Sequence, residues 1–205
     1  MDVINELIMQ TVTSPWLYLI MLAVAVIDGF FPPIPSETVL VAAAAVGASS
    51  GGVNIALLCA VAAVGAAIGD NIAYAIGRRL GTRRFAWMRR PRVAAAFVHA
   101  QRALDDRSAT LILGARYIPV GRVAVNMSAG ALDFAWRRFI PLSLLAGASW
   151  SLFSVGIGLF AGSWVKDQPL LSAAIGVVLA LLIGFTVDRV AAARRRRVAV
   201  PQLAG

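Results

Sequence analysis

Two long apolar stretches of the chain are each broken near their middle by proline, and each carries a pair of charges at the break. The first runs from Pro15 to Ser49 and is interrupted at Asp28-Gly29-Phe30-Phe31-Pro32-Pro33-Ile34-Pro35-Ser36-Glu37. The second runs from Ala109 to Leu132 and is interrupted at Arg116-Tyr117-Ile118-Pro119-Val120-Gly121-Arg122. Hydrocarbon solvates neither free backbone groups nor lone charges, so such breaks persist only where they line a wet cavity enclosed by protein. Pro32, Pro33 and Pro35 remove three backbone donors and push the residues before them out of helical geometry. Two half-helices remain, about 13 and about 12 residues long, each roughly 20 Å or less at 1.5 Å per residue. A hydrocarbon core of about 30 Å is wider than that. The arms around Pro119 and Gly121 are shorter still, so both broken segments read as re-entrant hairpins, and the site they line reads as a transport site.

The remaining spans follow from composition. Of 205 residues 60% are hydrophobic, which predicts an integral membrane protein of one domain covering residues 1–205. Val53 to Gly77 and Phe139 to Gly162 are long enough to cross, and Leu170 to Val187 is a shorter third candidate. Residues 1–14 read as an interfacial segment; Asp2 and Glu6, without a basic n-region, argue against a cleaved signal peptide.

The formal net charge of +9 raises nucleic acid as a partner, but its distribution points to a membrane instead. Nine arginines lie between Arg78 and Arg107, Arg137 and Arg138 follow the second broken segment, and the tail over 189–205 holds Arg189 and Arg194 to Arg197. With the N-terminus outside, hairpin one (15–49) returns outside and the helix over 53–77 crosses inward. Hairpin two (109–132) then dips from the cytoplasm, the helix over 139–162 crosses outward, and the helix over 170–187 returns. Every basic cluster is then cytoplasmic, as the positive-inside rule requires. Hairpin plus helix, repeated in opposite orientation, is the inverted-repeat plan of secondary transporters. The expected fold is thus all-α, with two oppositely oriented re-entrant hairpins, about three transmembrane helices and amphipathic surface helices. In the basic loop over 78–107, Val93, Phe97, Ala100 and Leu104 recur at helical spacing, which suits a helix lying on the inner leaflet.

The four charges at the breaks differ in what holds them. Glu37 follows Ser36, a good N-cap, at the start of a half-helix, and Arg116 ends another, so the helix dipole favours both. Asp28 ends the first half-helix and Arg122 opens the last, each opposed by the dipole. An arginine at a positive helix N-terminus makes an anion site, while a carboxylate at a helix C-terminus makes a proton or cation site. The structural alternative is one or two buried ion pairs joining Asp28 or Glu37 to Arg116 or Arg122. A further carboxylate, Asp70, lies seven residues before the end of the first crossing helix, roughly 10 Å deep. Tyr74 is one turn away on the same face, and Gly65, Gly69, Ala73 and Gly77 form a close-packing stripe for a neighbouring helix. Cys59 is the lone cysteine and His99 the lone histidine, the latter in the basic loop, so neither metal nor other cofactor is expected.

These residues in this order resemble the DedA family of membrane proteins, whose domain is also called VTT or SNARE-associated and is related to eukaryotic lipid scramblases. The resemblance rests on Asp28 to Glu37 with its prolines, on Gly69-Asp70, Tyr74, Gly77-Arg78 and Gly81, on Arg116-Tyr117-Ile118-Pro119 through Arg122, on Ala129-Gly130, and on Phe139 through Trp150. Departures are Asp28 where glutamate is commoner, the placement of Gly121 one position late, and Ser143 where asparagine is frequent. The resemblance implies a flippase in a bacterial-type plasma membrane for an anionic lipid carrier, undecaprenyl phosphate or a phospholipid, with proton coupling. It puts the phosphate on Arg116 and Arg122 and the protons on Asp28 and Glu37, with Asp70, Tyr74, Arg78, Pro35, Pro119 and Gly121 in support. Homo-oligomerisation stays open. An ion or proton antiporter is the alternative. A membrane enzyme is disfavoured, because no buried histidine activates a nucleophile and no metal cluster is present in the sequence.

Overall fold

A computed structural model describes residues 14–31, 34–82 and 91–164, together with Val178. Apart from Ser14 and Val178, the expected interfacial N-terminus, the helix over 170–187 and the tail over 189–205 lie outside the described residues, as do Pro32 and Pro33. The described residues form six helices and no strand: α1 (Trp16–Phe30), α2 (Ser36–Ser50), α3 (Ile55–Leu80), α4 (Pro91–Ala115), α5 (Pro119–Ala131) and α6 (Trp136–Trp164).

Two of these can cross a membrane by length and composition, α3 with 26 residues and α6 over Trp136–Ser163 with 28. At 1.5 Å per residue they reach about 39 and 42 Å. They start and stop within three residues of the spans expected from the sequence. By contrast α1 and α2 have 15 residues each, about 22 Å, and fall short of the hydrocarbon thickness. The chain leaves α1 at Phe31 and resumes helix after Pro35. At the second break proline sits one position further into the helix: Ile118 is extended (φ −123°, ψ 106°), as a residue before proline prefers, and Pro119 is the first residue of α5, where its missing N–H leaves nothing unsatisfied. Helix α4 is itself interrupted at Arg107 (φ −142°, ψ 41°), which separates the expected surface helix from the arm that leads to Arg116.

The short helices are distributed over the long ones. Helix α1 lies along α3 and α2 along α6, while α5 lies along α3 and α4 packs on α5 and α6; α1 and α2 barely touch each other. Close approach depends on glycine. A methyl group at Gly69 would collide with Val26 and Gly29 of α1, and one at Gly77 would collide with the Met127 backbone of α5. The small-residue stripe of α3 therefore serves two neighbours, α1 at its middle and α5 at its end. Tyr18 of α1 ties the start of α3 down by accepting from the Asn54 amide at 3.0 Å, and the Asn54 side chain caps α3 through the Leu57 amide at 3.0 Å.

Two apolar clusters result. The larger gathers Leu17, Met21 and Ala25, Leu40 and Ala44, Leu58, Ala62 and Ala66, with Trp150 and Val155. The smaller gathers Tyr74, Leu104, Ile112, Ala129 and Phe139. Along α3, Asp70 falls one turn after Ala66 and one turn before Tyr74, so a polar layer is sandwiched between them. Large apolar side chains on the outward faces of the long helices, among them Leu57, Val64, Ile68, Leu145, Leu152 and Phe160, stay exposed. That surface suits lipid rather than water.

Candidate functional site

The polar layer brings together four charges from four places in the chain. Asp28 comes from the last turn of α1, Asp70 from the middle of α3, Arg116 from the turn after α4 and Arg122 from the first turn of α5. Their residues are 8%, 2%, 4% and 6% exposed, so none can be stabilised by bulk water. Each must find its counter-charge inside.

They do so as two linked pairs. Arg116 Nη1 donates to Asp70 Oδ2, and its guanidinium carbon lies 5.1 Å from the centre of the Trp150 ring. Arg122 Nη2 lies 3.1 Å from Asp28 Oδ1, its Nη1 donates to Asp28 Oδ2 at 3.3 Å, and Nη2 also donates to the Asp28 backbone carbonyl. The pairs meet where Arg122 Nε faces Asp70 Oδ1 at 3.9 Å, too long for a hydrogen bond but close enough for strong attraction in a dry interior. The dipole conflict at Asp28 is thereby answered: an arginine holds its carboxylate and satisfies a free carbonyl at the helix end.

Ser36 corrects one expectation. The residue before α2 is Pro35 and no side chain caps that helix; Ser36 is its first helical residue, and its hydroxyl donates to Asp28 Oδ2. It spans the break and fastens the start of α2 to the end of α1. Glu37 lies in the first turn of α2, half-buried, and takes no ion pair among the described residues. The carboxylate that joins Asp28 in the arginine cluster is instead Asp70. The alternative of buried ion pairs is thus realised for Asp28 with Arg122, whereas Arg116 takes a partner from α3.

The other candidates fall around this centre. Tyr74 is buried, stacks on Phe139 with ring centres 4.7 Å apart, and donates its hydroxyl to the Phe134 carbonyl. Arg78 is exposed and pairs with Asp133 at 3.5 Å. Pro35 and Pro119 each introduce the second helix of a broken segment, and Gly121 sits against the Ile118 side chain. His99 is exposed, and no group of three potential metal ligands occurs among the described residues.

Sequence reasoning missed Asn126. It is 2% exposed, its Nδ2 has no hydrogen-bond partner, and it lies one turn after Arg122 on the same helix face. The spacing Arg122 to Asn126 was the available signal. Arg116 Nε and Arg122 Nε are likewise buried without a hydrogen-bond acceptor. Three donors of the layer therefore remain unused, in a place where an unmade hydrogen bond costs about 1–3 kcal/mol.

The sequence matches the family described as the VTT domain over residues 34–160, more than half of the chain. An uncharacterized membrane protein of Mycobacterium tuberculosis (strain H37Rv) is 30% identical over 192 residues, which cover 91% of this chain and 87% of the relative. A second uncharacterized membrane protein of that strain is 30% identical over 136 residues, covering 65% of this chain and 60% of the relative. A Lactococcus lactis protein (strain MG1363) named alkaline phosphatase-like is 27% identical over 164 residues, 76% of each chain. No solved structure matches.

Proposed function

The chain belongs to the VTT-domain, or DedA, family of membrane proteins, and on that premise we propose that it translocates an anionic lipid carrier, a polyprenyl phosphate or a phospholipid, across the plasma membrane. The observation that carries this is the pair of buried arginines that share two aspartates yet keep an unused donor each, with the unpartnered Asn126 amide beside them. A phosphate offers more acceptors than a carboxylate and takes a guanidinium bidentately. It can therefore replace Asp28 and Asp70 on Arg122 and Arg116 and satisfy the unused donors. The displaced carboxylates then lack their counter-charge in a dry site and take up protons. Anion entry and proton uptake are coupled in this way, with Glu37 as a further carboxylate near the break. The lipid tail stays in hydrocarbon.

Two re-entrant hairpins related by inversion belong to the same proposal. Supporting it is the exchange of partners: the first arm of segment one lies on α3 and its second on α6, whereas α4, whose last turns are the first arm of segment two, touches α6, and the second arm, α5, lies on α3. The proposed orientation keeps the N-terminus outside and the arginine clusters in the cytoplasm.

Titration of purified protein with undecaprenyl phosphate and with phosphatidic acid tests the site. Arg122→Ala should weaken binding about tenfold or more, as loss of charged hydrogen bonds does, and more than Arg116→Ala, because Arg122 reaches both aspartates. Arg122→Lys should rescue poorly. Unaltered affinities in both alanine variants would remove the arginines from the substrate site. A second reading, phosphate-ester hydrolysis, draws on the name of the Lactococcus relative. Steady release of inorganic phosphate from these lipids, lost in Arg122→Ala, would replace translocation with it.

A further inference from the structure

Away from the buried charges, a groove of about 330 Å³ opens between the end of α3 and the start of α6, lined by Asn71, Tyr74, Ala75, Arg78, Arg79 and Trp136. Its walls are fixed by bonds already made. Trp136 Nε1 donates to Asn71 Oδ1 at 2.8 Å, Asn71 Nδ2 donates to Ser143 Oγ at 3.1 Å and to the Ala67 carbonyl at 2.8 Å, and the Tyr74 hydroxyl is taken by Phe134. The groups left to greet an occupant are guanidiniums. Arg78 gives its Nε to Asp133 in a pair whose side chains are both more than half exposed, a contact of little strength, and Arg79 has no ion pair among the described residues. An anion is the occupant such a rim attracts.

The surface below the rim identifies the anion as a lipid. Ile68 and Val64 lie seven and eleven residues before Ala75 on the same face of α3, and both are exposed; Leu144, two turns beyond Trp136 on α6, is exposed as well. Cations and an indole above, with bare aliphatic side chains below, make the profile of a membrane boundary. We propose that this groove binds the phosphate-bearing headgroup of an anionic membrane lipid, with its chains running down past Ile68 and Leu144. Binding here stands on the groove alone. One consequence rests on the translocation reading: Tyr74, which lines the groove, lies one turn after Asp70 on α3, so the headgroup waits about one helical turn from the carboxylate that holds Arg116.

Trp136 supplies the readout. Full-length protein is placed in nanodiscs of phosphatidylcholine containing a minor fraction of acyl-brominated phosphatidic acid or acyl-brominated phosphatidylcholine, and the Trp136 signal is the difference between the parent and Trp136→Phe. The phosphatidic acid should quench that signal at a mole fraction on the order of tenfold lower than the phosphatidylcholine does, as two arginines facing an anionic headgroup imply. Arg78→Gln with Arg79→Gln should abolish the preference, and Arg78→Lys with Arg79→Lys should keep most of it. Equal quenching by both lipids, or a preference that survives the glutamine pair, overturns the proposal. Relief of quenching by free inorganic phosphate would assign the groove to the soluble ion and overturn the lipid assignment. Arg122→Ala should leave the preference intact, so failure of the groove and failure of the buried site are read separately.

Discussion

Asp28 sits in the last turn of a helix, where the dipole repels a carboxylate, and it is held there by Arg122 and Ser36, which converge on it from two other elements. Asp70 is more exacting. It has no helix end to help it, and among the described residues its ion-pair partners are Arg116 and, at 3.9 Å, Arg122 Nε. Asp70→Ala should therefore lower stability by about 3–5 kcal/mol, since it strands Arg116 without a counter-charge, and Asp70→Ala combined with Arg116→Met should lose less than the sum of the two single variants. Unfolding in mixed micelles, followed by tryptophan fluorescence, measures both; additive losses would mean that the pair is not coupled. Of this layer, Asp28, Arg116 and Arg122 were legible from sequence because each lies at a helix end beside proline. The role of Asp70 was only partly legible, because its partner is 46 residues away and spacing along one helix carries no record of such a contact. Ser36 was misread for a related reason: a serine before an apolar helix signals a cap, and only the folded chain reveals the carboxylate that captures its hydroxyl instead.

Among the elements, α3 carries the most contacts that matter, because α1, α5 and α6 all lie against it. Its glycines set how near they come. Gly77→Ala drives a methyl group into the Met127 backbone and should destabilise by about 1–3 kcal/mol, the range for overpacking. Gly156→Ala, which meets nothing within 4 Å, should be neutral or slightly stabilising and serves as the control. Thermal unfolding of the two variants in detergent checks the contrast, and equal midpoints would remove close packing as the reason for the glycine. The small-residue stripe was visible as a pattern, and so was its meaning as a packing face. That it divides between α1 and α5 was not, because a stripe on one helix does not say how many partners share it. The break at Arg107 was legible only as the boundary between two differently patterned segments.

At the scale of the molecule, the two unbroken spans were legible because length and hydropathy set them directly, and α3 and α6 fall where expected. The broken segments are harder, since a 15-residue helix could enter and return or could lie along the surface. The proposed topology makes a definite claim about their ends. In a Cys59→Ala background, cysteines at Ser14 and Gly52 should both react with a membrane-impermeant maleimide from outside, and cysteines at Ser108 and Ala135 should react only after the membrane is opened. Reaction of Ser14 and Gly52 from opposite sides would mean that the first segment crosses, and the inverted arrangement would fall with it.

In the proposed cycle an anionic headgroup and a proton bind together at the buried charges, and Asp28 is where that coupling is most directly read. Asp28→Asn carries the protonated form's neutrality permanently while keeping a side chain that can bond to Ser36 and Arg122. Lipid flipping is followed in sealed vesicles reconstituted with parent or variant, with and without an imposed pH gradient. If headgroup and proton are coupled, the gradient accelerates the parent, whereas Asp28→Asn still binds the lipid but flips it at one rate in both conditions. A variant that responds to the gradient as the parent does would make Asp28 a structural partner of Arg122 and contradict the coupling.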